Sequence, residues 1–182
     1  MQQTAIRTVT WPAVMVALLI VLGLFPGIPL AVLPVPIVLQ NFAVMLVGEL
    51  LGPKQGTLAV GGFLLLAALG LPVLSGGSGG VGAFLGPSGG ALFAWALTPL
   101  AVGGLLKVDW LCQRAWREWL VLVVVGVLGI NLAEVAWLTF GYHFAFTKAL
   151  LAESLFLPGD LIKATLSVTV ARRLRAIFGK GW

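Results

Sequence analysis

Asp160 and Lys163 stand three residues apart in FLPGDLIKATLSVTVARRLR, residues 156–175, a segment otherwise apolar enough to cross a membrane. On a helix this spacing puts both side chains on one face, with β-carbons ~5–6 Å apart. A charge at a bilayer centre costs ~2.5–3.5 kcal/mol even on lenient insertion scales, so intramembrane ionisable residues are functional by default. The pair offers an acceptor and a cationic donor to a ligand that has N–H groups and an anionic end. The alternative is an internal ion pair that holds helix packing, with Lys163 satisfied by Asp160 or by Glu134. Pro158 suits a first helical turn. Lys163 then lies only ~8 Å below it, at 1.5 Å per residue, and both charges are reachable from the outer side if a cavity opens there.

Further polar residues interrupt apolar segments. Asn131 and Glu134 share a helix face at the same i,i+3 spacing. Glu134 reads equally as a ligand contact, a protonated buried acid or a partner for Lys163. Gln40 and Asn41 open another apolar segment, and Ser78 and Ser88 bracket the glycine-rich run LPVLSGGSGGVGAFLGPSGG. Gly77, Gly79 and Gly82 fit G-x-G-x-x-G, but the dinucleotide fold needs an acid about 20 residues on, and none occurs between Glu49 and Asp109. What the loop offers is close backbone approach, with free N–H and C=O groups, or else a flexible hinge. No phosphate-binding G-x-x-x-x-G-K-[ST] is present, so ATP hydrolysis by the chain itself is not expected. One cysteine, Cys112, and one histidine, His143, argue against a disulfide framework, a metal cluster or a nucleophile–base pair. Trp95 and Trp137 read as packing or interfacial residues.

The elements that must position these groups are membrane helices. Of 182 residues 60% are hydrophobic and 9% charged, against roughly 25% in soluble domains. The mean hydropathy is +1.09. Glycine and proline clusters cut the chain into apolar segments near 10–25, 39–51, 54–71, 88–106, 118–141 and 158–177. With the N-terminus inside, Arg7, Lys54, Lys107, Arg114, Arg117, Arg172, Arg173, Arg175 and Lys180 all fall on the cytoplasmic side, and Lys148 falls outside. The expectation is an all-α bundle of six transmembrane helices with both termini cytoplasmic, forming a single membrane domain over 1–182. The bases lie between apolar segments rather than in one patch, so the pI near 10 points to membrane orientation and not to nucleic acid. No convincing small-residue cleavage site follows the first segment, which reads as a retained helix rather than a signal peptide.

Two of the outward loops, FPGIPLAVLPVPIV and PVLSGGSGGVGAFLGP, carry no charge. Such loops either fold against the bundle or line a cavity, where irregular backbone is tolerated in a membrane, or are simple connectors. In the first helix, Ala13 and Ala17 in AVMVA form a small-x-x-x-small face that lets another helix approach closely.

Three stretches together resemble one family: PVPIVLQ within GIPLAVLPVPIVLQNFAVMLVGELLGPKQG, GPSGG at the end of the glycine loop, and PGDLIK within FLPGDLIKA. They are similar to the BioY family, the biotin-specific S components of energy-coupling factor transporters, over about residues 10–175. The resemblance implies a six-helix S-component fold with a vitamin pocket near the outer face, capped by the first loop. It implies a membrane-bound uptake subunit of a bacterial or archaeal plasma membrane, without enzymatic activity or cofactor. The implied partners are biotin, a transmembrane coupling subunit and two cytoplasmic ATPases that use the ATP. Ala13 and Ala17 match the face that docks on the coupling subunit. Asp160 and Lys163 match the family's polar ligand pair, and Ser78, Gln40, Asn131 and Glu134 complete the expected binding set. Ser78 stands where family members can place an asparagine, so its contact is not carried over directly. On the ligand's chemistry, Asp160 is expected to accept from the ureido N–H groups and Lys163 to pair with the carboxylate. Alternatives are an S component for another vitamin, a solitary transporter and an intramembrane enzyme.

Overall fold

The computed structural model describes residues 2–29 and 35–178, and these are mostly helical, with turns, irregular connections and one pair of two-residue strands. Helix α1 (Gln2–Gly23) leads into strands β1 (Ile28–Pro29) and β2 (Pro36–Ile37), which pair antiparallel with Ile28 opposite Ile37. Helix α2 (Gln40–Ala68) follows. The glycine run then forms a tight turn at Ser75–Gly77 and a short helix, α3 (Val81–Leu85). Next come α4 (Gly89–Leu105), α5 (Asp109–Cys112) and α6 (Ala115–Val121). Helix α6 continues through a widened π-type stretch, Leu122–Gly129, into α7 (Ile130–Tyr142). Helices α8 (Phe146–Glu153) and α9 (Leu157–Phe178) complete the described chain.

Although α2 runs over 29 residues, it is not a rod. A straight helix of that length would separate its ends by ~43 Å. Yet the side chain of Gln40, at its start, lies 3.0 Å from the carbonyl of Val73, beyond its end. A β-carbon on Gly56 would also lie 3.2 Å from the carbonyl of Val47. The chain therefore reverses at Gly52, whose φ of 69° is left-handed and open to glycine, and Pro53 starts the return arm without needing an N–H partner. The two arms, 40–51 and 53–68, correspond to the second and third apolar segments of the sequence. Helix α4 lies against both arms. Its Gly103 fits under the reversal because a β-carbon there would be 2.5 Å from the backbone of Gly52 and Pro53. Close helix approach through small residues of this kind is the usual packing mode in lipid.

The remaining segments fall on α1, α4, the α6–α7 run and α9. Helices α3, α5 and α8 lie within connections and were not anticipated. Phe63, Leu19, Met45, Leu122 and Ile130 are fully buried in the bundle, while large apolar side chains such as Leu58, Leu97, Leu132 and Ile162 face outward. An apolar exterior around an apolar core suits a lipid surround.

The two ends of the bundle differ chemically. At one end, Lys54, Lys107, Arg172 and Arg175 border two hollows beside the Gly52 reversal. There Arg175 Nη2 lies 2.9 Å from Glu118 Oε2, and Arg172 Nη1 lies 3.0 Å from Glu118 Oε1. Ser167 donates to Glu49, whose other carboxylate oxygen is 3.7 Å from Arg175. The other end holds the first loop, the glycine run and the start of α9.

Candidate functional site

At that second end a cavity of about 340 Å³ opens between the loops and helices α2, α4, α7 and α9. Its volume falls within the ~300–1,000 Å³ of ordinary small-molecule sites. The described parts of both uncharged loops fold onto it rather than serving as simple connectors. Val35, Pro36 and Val38 of the first loop line it, and Val35 is buried against Val135, Leu138 and Phe156. Ser75 Oγ donates to the carbonyl of Phe25 and ties the glycine run to the first loop. The run turns through left-handed glycines at Gly76 and Gly77 (φ 70° and 72°), which keeps its backbone at the cavity rim.

Helix α9 begins at Leu157, so Asp160 sits in its first turn and Lys163 one turn further in. Lys163 Nζ lies 2.8 Å from Asp160 Oδ1, and Asn131 Nδ2 donates to Asp160 Oδ2 at 3.3 Å. Lys163 is paired with Asp160 and not with Glu134. Lys163 and Asn131 line the cavity, whereas Asp160, 3% exposed, lies behind them with both oxygens engaged. The acid thus neutralises the lysine and orients the asparagine. This arrangement leaves Lys163 little surplus charge for an anionic ligand group.

Glu134, also from α7, lines the cavity, and its buried Oε1 has no hydrogen-bond partner among the described residues. Gln40, fully buried at the start of α2, lines the cavity too, with its amide nitrogen bonded to backbone and its Oε1 without a partner among the described residues. Ser78 sits exposed at the rim, where its hydroxyl donates to the carbonyl of Ser75 at 3.1 Å within its own loop. All the expected ligand residues therefore converge on one cavity, Asp160 indirectly. Ala13 and Ala17 lie elsewhere, on the exposed side of α1, while Met15 and Leu19 of the same helix point into the bundle.

Two features escaped the sequence. Trp95 is a wall residue whose Nε1 donates to Asn41 Oδ1 at 2.6 Å, fixing that amide against the cavity. Indole spacing alone carries no such signal. Glu153 in α8 is 2% exposed, with neither carboxylate oxygen partnered among the described residues, although an acid in an outward loop would normally be solvated. Trp137, by contrast, packs as anticipated, against Gly89 and Gly90, and donates to the carbonyl of Gly86.

The inner part of the cavity thus combines an ammonium, a carboxamide, a carboxyl and an amide oxygen without a surplus of positive charge, set in apolar walls from Ala91, Leu92 and Phe156. Such a wall suits a ligand with a compact polar head, both donor and acceptor, on an apolar body.

Residues 1–180 match the model of the BioY family. A biotin transporter BioY of Lactococcus lactis subsp. cremoris (strain MG1363) is 45% identical over 172 residues, covering 93% of this chain and 91% of the relative. A probable biotin transporter BioY of Bacillus subtilis (strain 168) is 40% identical over 166 residues, covering 89% and 87%. Among solved structures, the crystal structure of the S-component for biotin from an ECF-type ABC transporter superimposes with a TM-score of 0.94 at 44% identity. That match covers 97% of this chain and 94% of the solved one.

Proposed function

This chain belongs to the BioY family, and on that premise we propose that it captures biotin at the loop-covered end and delivers it to the cytoplasm when coupled to an ATP-driven module. It is a transport component and not an enzyme. The observation that supports this reading is the near-complete structural match to an S-component for biotin, in a chain whose own cavity is lined by the expected polar residues other than Asp160, which stands behind Lys163.

Biotin has a ureido ring with one carbonyl and two N–H groups, an apolar sulfur ring and chain, and a terminal carboxylate. The inner wall favours the ureido ring. Lys163 can donate to the ureido carbonyl while its charge remains balanced by Asp160. A carboxylate at the same place would meet Glu134 and the Asp160–Lys163 pair, gaining little attraction for the loss of its hydration. The carboxylate belongs at the rim instead, beside the glycine run and the hydroxyls of Ser78 and Ser88, where water still reaches it. This orientation replaces the division of labour that residue types alone suggested for Lys163.

The chain works as one membrane domain crossing the plasma membrane six times, the α2 arms counting as two crossings, with both termini and the basic end cytoplasmic. Its partners are a transmembrane coupling subunit, docked on the Ala13–Ala17 face, and two cytoplasmic ATPases. No cofactor is required of the chain itself.

The test is binding by the purified protein, without nucleotide, of biotin, thiamine and riboflavin in parallel. Saturable binding of biotin alone, with no ATP turnover, is expected. Preference for another vitamin, or ATPase activity in rigorously isolated protein, would overturn the proposal.

A further inference from the structure

We infer that the side-chain carbonyl of Gln40 is the acceptor that selects for a ureido N–H of the ligand. This deepens the biotin-capture reading and rests on it.

The amide of Gln40 is held in one orientation. Its Nε2 donates to the carbonyl of Leu19 in α1 at 2.9 Å and to the carbonyl of Val73 at 3.0 Å. Those bonds use both amide hydrogens. Turning the amide over would place its oxygen against two carbonyl oxygens, so the surroundings themselves assign oxygen and nitrogen. Gly23 makes the arrangement possible, because a β-carbon there would lie 2.1 Å from the Val73 oxygen and 2.8 Å from Gln40 Nε2. Two separate segments, α1 and the loop after α2, thus pin one side chain at the base of the first arm.

What remains is Oε1. It is buried and has no hydrogen-bond partner among the described residues, in a residue that is 0% exposed and lines the cavity. A buried acceptor without a donor is unfavourable, and because Gln40 borders the cavity, a ligand seated there can supply the missing donor. At neutral pH the hydrogen-bond donors of biotin are its two ureido N–H groups, its carboxyl being ionised. Asn41 Oδ1, the nearby alternative on the same arm, is already engaged by Trp95. The unpartnered Oε1 of Glu134, on the α7 wall, is the matching acceptor for the second N–H. An acceptor fixed before the ligand arrives loses little freedom on binding and rejects analogues that cannot donate to it.

The experiment compares biotin with its two singly N-methylated ureido derivatives, on the wild type, Gln40→Met and Glu134→Gln. The wild type should bind each methylated derivative about 10- to 100-fold more weakly than biotin, as expected for a buried acceptor losing its donor. In Gln40→Met the penalty for one of the two methyl positions should fall towards onefold, while the penalty for the other persists. Equal penalties at both positions in the wild type and Gln40→Met would overturn the assignment while leaving biotin binding intact. No biotin binding by folded wild type would overturn the underlying reading as well. Should Gln40→Met fail to fold, side-chain ¹⁵N resonances of glutamine-labelled wild type decide. Biotin should shift the Gln40 amide signal, assigned by selective labelling, and the derivative methylated at the matching nitrogen should not. A signal that responds identically to all three ligands would overturn the inference.

Discussion

Arg175, in the last turns of α9, places its guanidinium 2.9 Å from a carboxylate oxygen of Glu118 in α6, 57 residues earlier in the chain. The same guanidinium reaches Glu49 at the tip of the first α2 arm, at 3.7 Å. Three helices are thereby joined at the basic end, opposite the ligand cavity. Glu118 is 1% exposed and would be left as an uncompensated buried charge if the arginines were removed.

Arg175→Met should therefore lower stability by about 2–3 kcal/mol. This is below the ~3–5 kcal/mol of a wholly buried pair, because 21% of the Arg175 side chain remains exposed and Arg172 still reaches Glu118. The double variant Arg175→Met with Glu118→Gln should recover part of the loss, since the stranded acid is gone. Thermal unfolding in detergent measures both. A double variant whose loss equals the sum of its single changes would show that the two residues do not act as a pair.

Lys163→Ala should weaken biotin binding by about 1.5–3 kcal/mol, the range for losing a hydrogen bond from a charged group to the ureido carbonyl. That corresponds to roughly 10- to 150-fold in affinity. With the ureido ring at the inner wall, the ratio of affinities for biotin and its methyl ester should be the same in Lys163→Ala as in the wild type. A ratio that collapses to one in the variant would place the carboxylate beside Lys163, the arrangement that residue types alone favoured. Full affinity with loss of folded yield would make the Asp160–Lys163 contact a packing ion pair and nothing more.

Replacing Ala13 or Ala17 by leucine should abolish biotin uptake by cells while changing the biotin affinity of the purified protein by less than about threefold, a surface-sized perturbation. Both alanines face away from the core residues Met15 and Leu19, so added bulk should disturb close helix docking and not the bundle. Uptake counts and equilibrium binding on the same variants make the comparison. Parallel loss of both would tie this face to folding or to the ligand site.

Much of the architecture was legible in the residues because its causes are local or additive. Hydrophobic content and the distribution of lysine and arginine act through transfer free energies that depend on residue type, so the helical membrane character and the basic end could be read directly. Glycine and proline restrict or release backbone torsions at their own positions, and the break between the second and third segments duly falls at Gly52–Pro53. The i,i+3 spacing brought Asp160 beside Lys163 for the same local reason.

Only the tertiary structure decided which polar atoms remain free. Gln40 acquires its orientation from carbonyls 21 and 33 residues away, and Asp160 withdraws behind Lys163 because Asn131, 29 residues earlier, claims its second oxygen. Glu49 and Ser167 meet across 118 residues. A hydrogen bond is made or lost within a few tenths of an ångström, and that precision comes from how helices seat against one another, here through glycines such as Gly23 and Gly103. Residue types therefore identified the side chains that gather at the cavity, and packing determined which of their atoms are left to meet a ligand.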